Sequence, residues 1–100
     1  MELVTIVTRD VADRFRGFLA SVMLEVAPCT YISPRMNSGV RERIWQVVSD
    51  WHHSDPVGSL VMIWSEKNST GGIGLAHLGV PSKELIELDG LWVVRLHGSG

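Results

Sequence analysis

The chain has 100 residues, of which 45% are hydrophobic and 20% charged, and a formal net charge of −2. This composition is typical of one folded domain and excludes a disordered chain. The apolar runs are too short to span a bilayer, so no membrane association is expected. Cys29 is the single cysteine and no secretory signal pattern opens the chain, so the expected location is a reducing cytoplasm.

Charge is unevenly distributed along the chain. Residues 1–45 carry six basic and five acidic side chains, whereas residues 46–100 carry three basic and six acidic ones. All six basic residues of the first part are arginine, whose planar fork suits the oxygen pairs of phosphate groups. A negative net charge therefore does not exclude a nucleic-acid partner.

The first half of the chain predicts two helices among short strands. Residues 2–8 are β-branched and apolar on both faces, which is typical of a central strand. The segment 25–33 is too short for a helix and contains Pro28. It favours two short strands around a tight turn. Between these segments a first helix is predicted from a stripe of apolar residues: Phe15, Phe18, Leu19, Val22, Met23 and Val26.

The second helix has clear start signals and its own apolar stripe. Pro34, Asn37 and Ser38 favour a helix start at this point. The residues expected on its buried side recur at helical spacing: Val40, Ile44, Val47, Val48 and Trp51.

The second half of the chain predicts strands only. Residues 59–65 and 73–79 flank a polar, glycine-containing turn and form a hairpin. One extended piece is expected at 85–88 and a last strand at 91–96, whereas 97–100 is predicted to be a flexible tail.

This element order predicts an α+β fold. We expect residues 1–96 to form one ferredoxin-like β-α-β-β-α-β sandwich with additional C-terminal strands. Both helices would cover one face of the sheet and leave an apolar face bare. A chain this short buries a modest core, so we expect a homodimer packed through the sheets.

Two groups of residues are candidates for metal binding. Asp10 lies between the first strand and the first helix, where it is either an N-cap or a ligand of Mg²⁺ or Mn²⁺, paired across a two-fold axis. Asp89 is either a second carboxylate or part of the Asp89–Gly90 turn. His52 and His53 follow no common zinc spacing, and their position favours an interaction with the helix dipole.

Arg14 and Arg16 stand at the positive end of the first helix, where cations are unfavourable. On a helical wheel they flank the buried Phe15, and Arg41 is similarly placed near the start of the second helix. Two interpretations remain open: ion pairs with neighbouring carboxylates, or contacts with phosphate groups at the helix N-termini.

Several motifs give the chain a family resemblance. R-x-RG (14–17), VRE-x-IW (40–45) and LDGL (88–91) occur in the order found in a known family. The chain resembles the small CRISPR-associated adaptation protein of subtype I-E, the partner of the CRISPR integrase. This resemblance implies a ferredoxin-like homodimer that bridges two integrase dimers and holds the double-stranded DNA to be inserted into the array.

The resemblance also assigns roles to particular residues. Arg14, Arg16 and Arg41 would hold the DNA backbone, and Lys83 matches a further basic position. Basic residues usual in the family are replaced by Gly39 and Ser82, which predicts a shallower salt dependence. Docking on the integrase by strand pairing would fall on the last strand: Leu91, Trp92, Val93, Val94, Arg95 and Leu96.

The same family suggests a possible activity at Asp10. Many of its members are described as metal-dependent endonucleases acting on RNA or DNA. The catalytic, metal-binding carboxylate would then be Asp10 with Mg or Mn, although subtype I-E members vary here and integration does not depend on the nuclease activity. A third interpretation is a ferredoxin-like regulatory module with a small ligand between its subunits.

Overall fold

The computed structural model describes residues 2–66, 70–79, 83–88 and 91–96, and side chains are described up to residue 66 and for 71–79. Its regular elements are β1 (Glu2–Arg9), α1 (Asp13–Val22), β2 (Leu24–Ala27), β3 (Thr30–Met36), α2 (Ser38–Ser54), β4 (Ser59–Ser65), β5 (Ile73–Leu78), β6 (Lys83–Leu88) and β7 (Leu91–Leu96). The predicted β-α-β-β-α-β order with extra C-terminal strands is confirmed. The predicted tail at 97–100 and the Asp89–Gly90 turn lie outside the described residues.

Five strands form one antiparallel sheet in the order β2-β3-β1-β4-β5, and β6 pairs with β7 in a separate two-stranded sheet. The strand β1 lies in the centre, as its apolar, β-branched sequence predicts. The order β2-β3-β1-β4 is that of a ferredoxin-like sandwich, with β5 added beside β4. The predicted α+β fold is therefore confirmed.

One face of the sheet packs on both helices. A row of buried side chains crosses three neighbouring strands at Tyr31, Ile6 and Met62. Phe15 and Leu19 of α1 and two α2 residues, Ile44 and Val48, complete the same core. Burial of each such side chain contributes about 1.5–3 kcal/mol to folding, so this layer fixes both helices on the sheet.

The opposite face of the sheet is apolar and partly exposed. The next row across the strands consists of Ile32, Thr5, Ile63 and Leu75, all of intermediate burial. Leu3 on β1 is 47% exposed. This face matches the bare sheet surface that the sequence predicts.

The helix α1 ends earlier than its apolar stripe predicts. It stops at Val22, and Met23 is already extended. Residues Leu24–Ala27 pair with β3 instead, with an irregularity in register between Glu25 and Ala27. The stripe prediction was wrong at its end because Val22 and Val26 are exposed, whereas the predicted pair of short strands around Pro28 is confirmed.

The helix α2 begins at Ser38, and Asn37 is its N-cap. The Asn37 side-chain oxygen accepts a hydrogen bond from the backbone N–H of Val40 at 2.8 Å, so this start signal is confirmed. Pro34 instead lies within β3. Val40 was wrongly predicted to be buried: it is 46% exposed, and Arg41 takes the inward position.

Candidate nucleic-acid interface

The N-terminus of α1 carries two exposed arginines and no side-chain cap. Its N-cap position is Ala12, whose side chain offers no acceptor. The first N–H groups of a helix lack partners within the helix and favour an anion. Arg14 and Arg16 are both exposed and stand on either side of the buried Phe15. The feature therefore combines N–H groups with two guanidinium forks.

Arg14 points toward the C-terminal end of α2. The Cζ atom of its guanidinium lies 5.0 Å from the ring centroid of Trp51, and one of its N–H groups donates to the Trp51 carbonyl oxygen at 3.5 Å. The C-terminus of a helix carries partial negative charge. The negative end of α2 thus offsets the unfavourable interaction of the Arg14 charge with the positive end of α1.

On the helical wheel of α1, Arg16 lies on the other side of Phe15 from Arg14. Its guanidinium is 3.8 Å from the exposed Asp13 carboxylate, a weak surface pair. Burial raises the pKa of Tyr31, and the Glu25 carboxylate and the Cys29 thiol raise it further, whereas Arg16 opposes them. The positive charge of Arg16 thus favours the ionised form of Tyr31, although less strongly than burial disfavours it. Arg16 remains half-exposed and available to a ligand.

Arg41 does not join the other two arginines. Its side chain is only 9% exposed, pairs with the Glu2 carboxylate, and lies 3.8 Å from Glu42. Its guanidinium stacks over Trp64 with Cζ 4.2 Å from the ring centroid. The Arg41 side chain is thus turned inward by packing against Trp64 and Glu2, unlike the exposed arginines of α1 with which the resemblance groups it.

Asp10 is not the N-cap of α1, since Ala12 holds that position. Its backbone is left-handed, with φ 57°, and its side chain is 85% exposed. Arg9 is its nearest ion-pair partner, with the side-chain Nε 3.9 Å away. Asp10 stands two residues too early to cap the helix, so the capping interpretation was wrong.

The metal interpretation of Asp10 needs further ligands, and the other candidate carboxylate, Asp89, lies outside the described residues. Among the residues that the structure describes, no group of three or more His, Cys, Asp or Glu could hold a metal ion. A divalent cation prefers several oxygen ligands. Asp10 would therefore fit Mg²⁺ or Mn²⁺ where further oxygen ligands, such as the Asp10 carboxylate of a second copy, come close to it.

The remaining predicted site residues lie in the C-terminal hairpin. Lys83 is the first residue of β6, and its side chain lies outside the described part. The segment Leu91–Leu96 forms β7, which pairs with β6 and with no other strand in the described ranges. The described part of the structure therefore shows no contact between Lys83 and the arginines of α1.

Two residues that matter here were missed as site residues. Trp51 contacts Arg14, and Glu2 holds Arg41 inward. Trp51 was predicted as a core residue, and it does pack against the core. No spacing rule links either pair, because their members are 37 and 39 residues apart along the chain.

None of the helices in the described residues has the length and apolar character needed to cross a bilayer.

A family model described as "CRISPR-associated protein (Cas_Cas2CT1978)" matches residues 3–93 of the chain. The match spans the sheet, both helices and part of the C-terminal hairpin, and so includes the arginines at the start of α1.

Proposed function

Because the chain belongs to the CRISPR-associated protein family Cas_Cas2CT1978, we propose that it is a non-catalytic DNA-binding subunit of the CRISPR spacer-acquisition complex. In this role it bridges dimers of the CRISPR integrase and clamps the duplex backbone of the incoming DNA in the cytoplasm. The observation that carries the proposal is the uncapped start of α1 with Arg14 and Arg16 exposed beside it.

The apolar outer face of the sheet supports a homodimer. A surface with Leu3 and Val7 exposed, flanked by partly exposed Ile63 and Leu75, favours burial against another apolar surface. A second copy of the chain supplies an identical surface, as two-fold interfaces require. In such a dimer the α1 arginines would occur twice, so the clamp would have two symmetric halves.

The strand β7 supports docking on the integrase. Its second edge has no strand partner among the described strands. An open edge can accept an extended segment of another protein through main-chain hydrogen bonds. We propose that Leu91–Leu96 serves this role and that Lys83 adds a phosphate contact.

The test of the clamp is the double substitution Arg14→Ala with Arg16→Ala. Duplex binding by the assembly with the integrase is expected to weaken by about 100-fold or more, because charge-assisted hydrogen bonds contribute about 1.5–3 kcal/mol each and two are lost. The slope of log K against log salt should also become shallower by about 0.9 for each lost phosphate contact. Binding is measured by fluorescence anisotropy over a salt series.

The matched control is Arg35→Ala with Arg43→Ala, which removes the same charge from two other exposed positions. This control should leave the affinity within about threefold, since neither arginine is proposed to contact a phosphate group and only the general charge is reduced. Sedimentation of both variants verifies that the oligomeric state is unchanged. Full binding and full spacer acquisition by the Arg14/Arg16 variant would contradict the clamp.

A metal-dependent endonuclease for RNA or DNA is a second candidate, supported by the left-handed backbone of the exposed Asp10. Such backbone conformations in residues other than glycine cluster at functional sites. Paired Asp10 residues at the dimer axis would hold Mg²⁺ or Mn²⁺, which supplies Lewis-acid activation of a phosphodiester when bound.

The expected result for this second candidate is that Asp10→Ala and metal chelation each abolish cleavage of labelled RNA and DNA. Asp13→Ala is the matched control, because Asp13 lies three residues away and its carboxylate is also largely exposed. Cleavage that persists in Asp10→Ala preparations would assign the activity to another site or to a contaminant.

A further inference from the structure

The side chain of Trp51 lies between the two helices, close to the start of α1. It belongs to the last turn of α2 and is half-buried. We propose that Trp51 is a positioning residue that holds the Arg14 guanidinium ready for a phosphate group. This inference rests on the proposed DNA-binding function and adds a residue that no phosphate needs to touch.

The indole ring of Trp51 is itself held by two phenylalanines of α1. Its centroid lies 5.5 Å from that of Phe15 with an interplanar angle of 85°, and 5.4 Å from that of Phe18 with an angle of 70°. Both pairs have the edge-to-face geometry that aromatic rings favour. Phe15 is buried in the core, so the indole is anchored to a rigid part of the fold.

The guanidinium of Arg14 rests on this anchored ring. Its Cζ lies 5.0 Å from the Trp51 centroid and 5.6 Å from the Phe15 centroid. Stacking uses the flat face of a guanidinium and leaves the N–H groups at its edge free to donate. One of them donates to the Trp51 carbonyl oxygen, and the fork retains further donors for a phosphate.

Arg16 provides an internal comparison. Its side chain forms an exposed ion pair with Asp13. It stacks on no aromatic ring among the residues that the structure describes. An unrestrained arginine loses more side-chain freedom when it binds than a restrained one. The two arginines therefore differ in how far they are ordered before DNA arrives, and the difference is due to Trp51.

A double-mutant cycle separates positioning from general stability. The variants are Trp51→Leu, Arg14→Gln and Arg16→Gln, singly and with Trp51→Leu combined with each arginine change. Duplex affinity of the integrase assembly is measured by anisotropy over a salt series, and the variants are compared at equal salt. Trp51→Leu is expected to weaken binding about two- to fivefold when Arg14 is present, as expected for the loss of one cation–π contact.

The same substitution should have almost no effect in the Arg14→Gln background and its full effect in the Arg16→Gln background. The salt slope should not change, because the number of phosphate contacts is unaltered. The positioning role would be overturned if Trp51→Leu weakened duplex binding equally in the Arg14→Gln and Arg16→Gln backgrounds. It would also be overturned if Trp51→Leu left the affinity of the parent unchanged. If Trp51→Leu does not fold, Trp51→Phe replaces it, with about twofold weakening expected and the same criterion of coupling to Arg14.

The outcome for Arg14→Gln alone distinguishes failure of the proposed DNA clamp from failure of the positioning role of Trp51. If the affinity of this variant for duplex equals that of the parent, Arg14 is not part of the clamp and the proposed clamp is refuted at that residue. If it binds weakly but shows no coupling to position 51, the clamp stands and only the role of Trp51 is refuted.

Discussion

Substitution of Arg41 by alanine is expected to lower the free energy of unfolding by about 3 kcal/mol, because it leaves the largely buried Glu2 carboxylate without its partner. Glu2 would retain its carboxylate with a side chain only 19% exposed. Trp64 would lose the guanidinium stacked 4.2 Å from its centroid. Since small domains are stable by about 5–15 kcal/mol, such a loss would remove a large share of the stability and lower the midpoint of unfolding.

The measurement is urea unfolding followed by tryptophan fluorescence. Arg43→Ala is the matched control, because Arg43 lies on the same helix and is exposed. Its effect should remain within about 0.5 kcal/mol, as for most surface substitutions. If Arg41→Ala were as mild as this control, the inward position of Arg41 would be wrong and its assignment to the DNA surface would be restored.

Substitution of Gly58 by alanine is expected to lower the free energy of unfolding by about 2–4 kcal/mol through strain and overlap. Gly58 has φ 79°, a conformation that glycine alone adopts without cost. A Cβ atom at this position would lie 2.5 Å from the carbonyl oxygen of Arg9 and would also overlap that of Asp10. Backbone atoms in a paired strand cannot move aside as a flexible side chain can.

Gly17→Ala is the control for Gly58→Ala in the same unfolding experiment. An added Cβ on Gly17 would meet no other atom within 4 Å, and the residue lies within α1. This change should raise the free energy of unfolding by about 0.5–1 kcal/mol. Equal effects of the two substitutions would show that the turn at Arg9–Asp10 is not packed against Gly58.

The fold was largely predictable from the sequence because its elements have strong local patterns. The alternation around Ile6 and the helical spacing of Phe15 and Leu19 both place one side of an element against the core. Boundaries were less predictable. Residues Leu24–Ala27 suit a helix as well as a strand, and only their pairing with β3 decides between these.

The candidate site was predictable only where it depends on local sequence. Two arginines at the start of α1 follow from the helix itself. The inward turn of Arg41 depends on Glu2 and Trp64, which are distant along the chain and contact it only in the folded protein. Charged residues are rarely buried, so composition predicts the opposite position.

The short strand β2 limits how these molecules can aggregate. It forms one edge of the five-stranded sheet and exposes Leu24 and Val26 by 61% and 60%. An exposed apolar edge usually templates growth of a sheet from one molecule to the next. Here the strand has four residues, shifts register before Ala27 and is followed by Pro28, which has no N–H to donate. An incoming strand would find too few regularly spaced main-chain groups, so this edge resists the nucleation of fibrils.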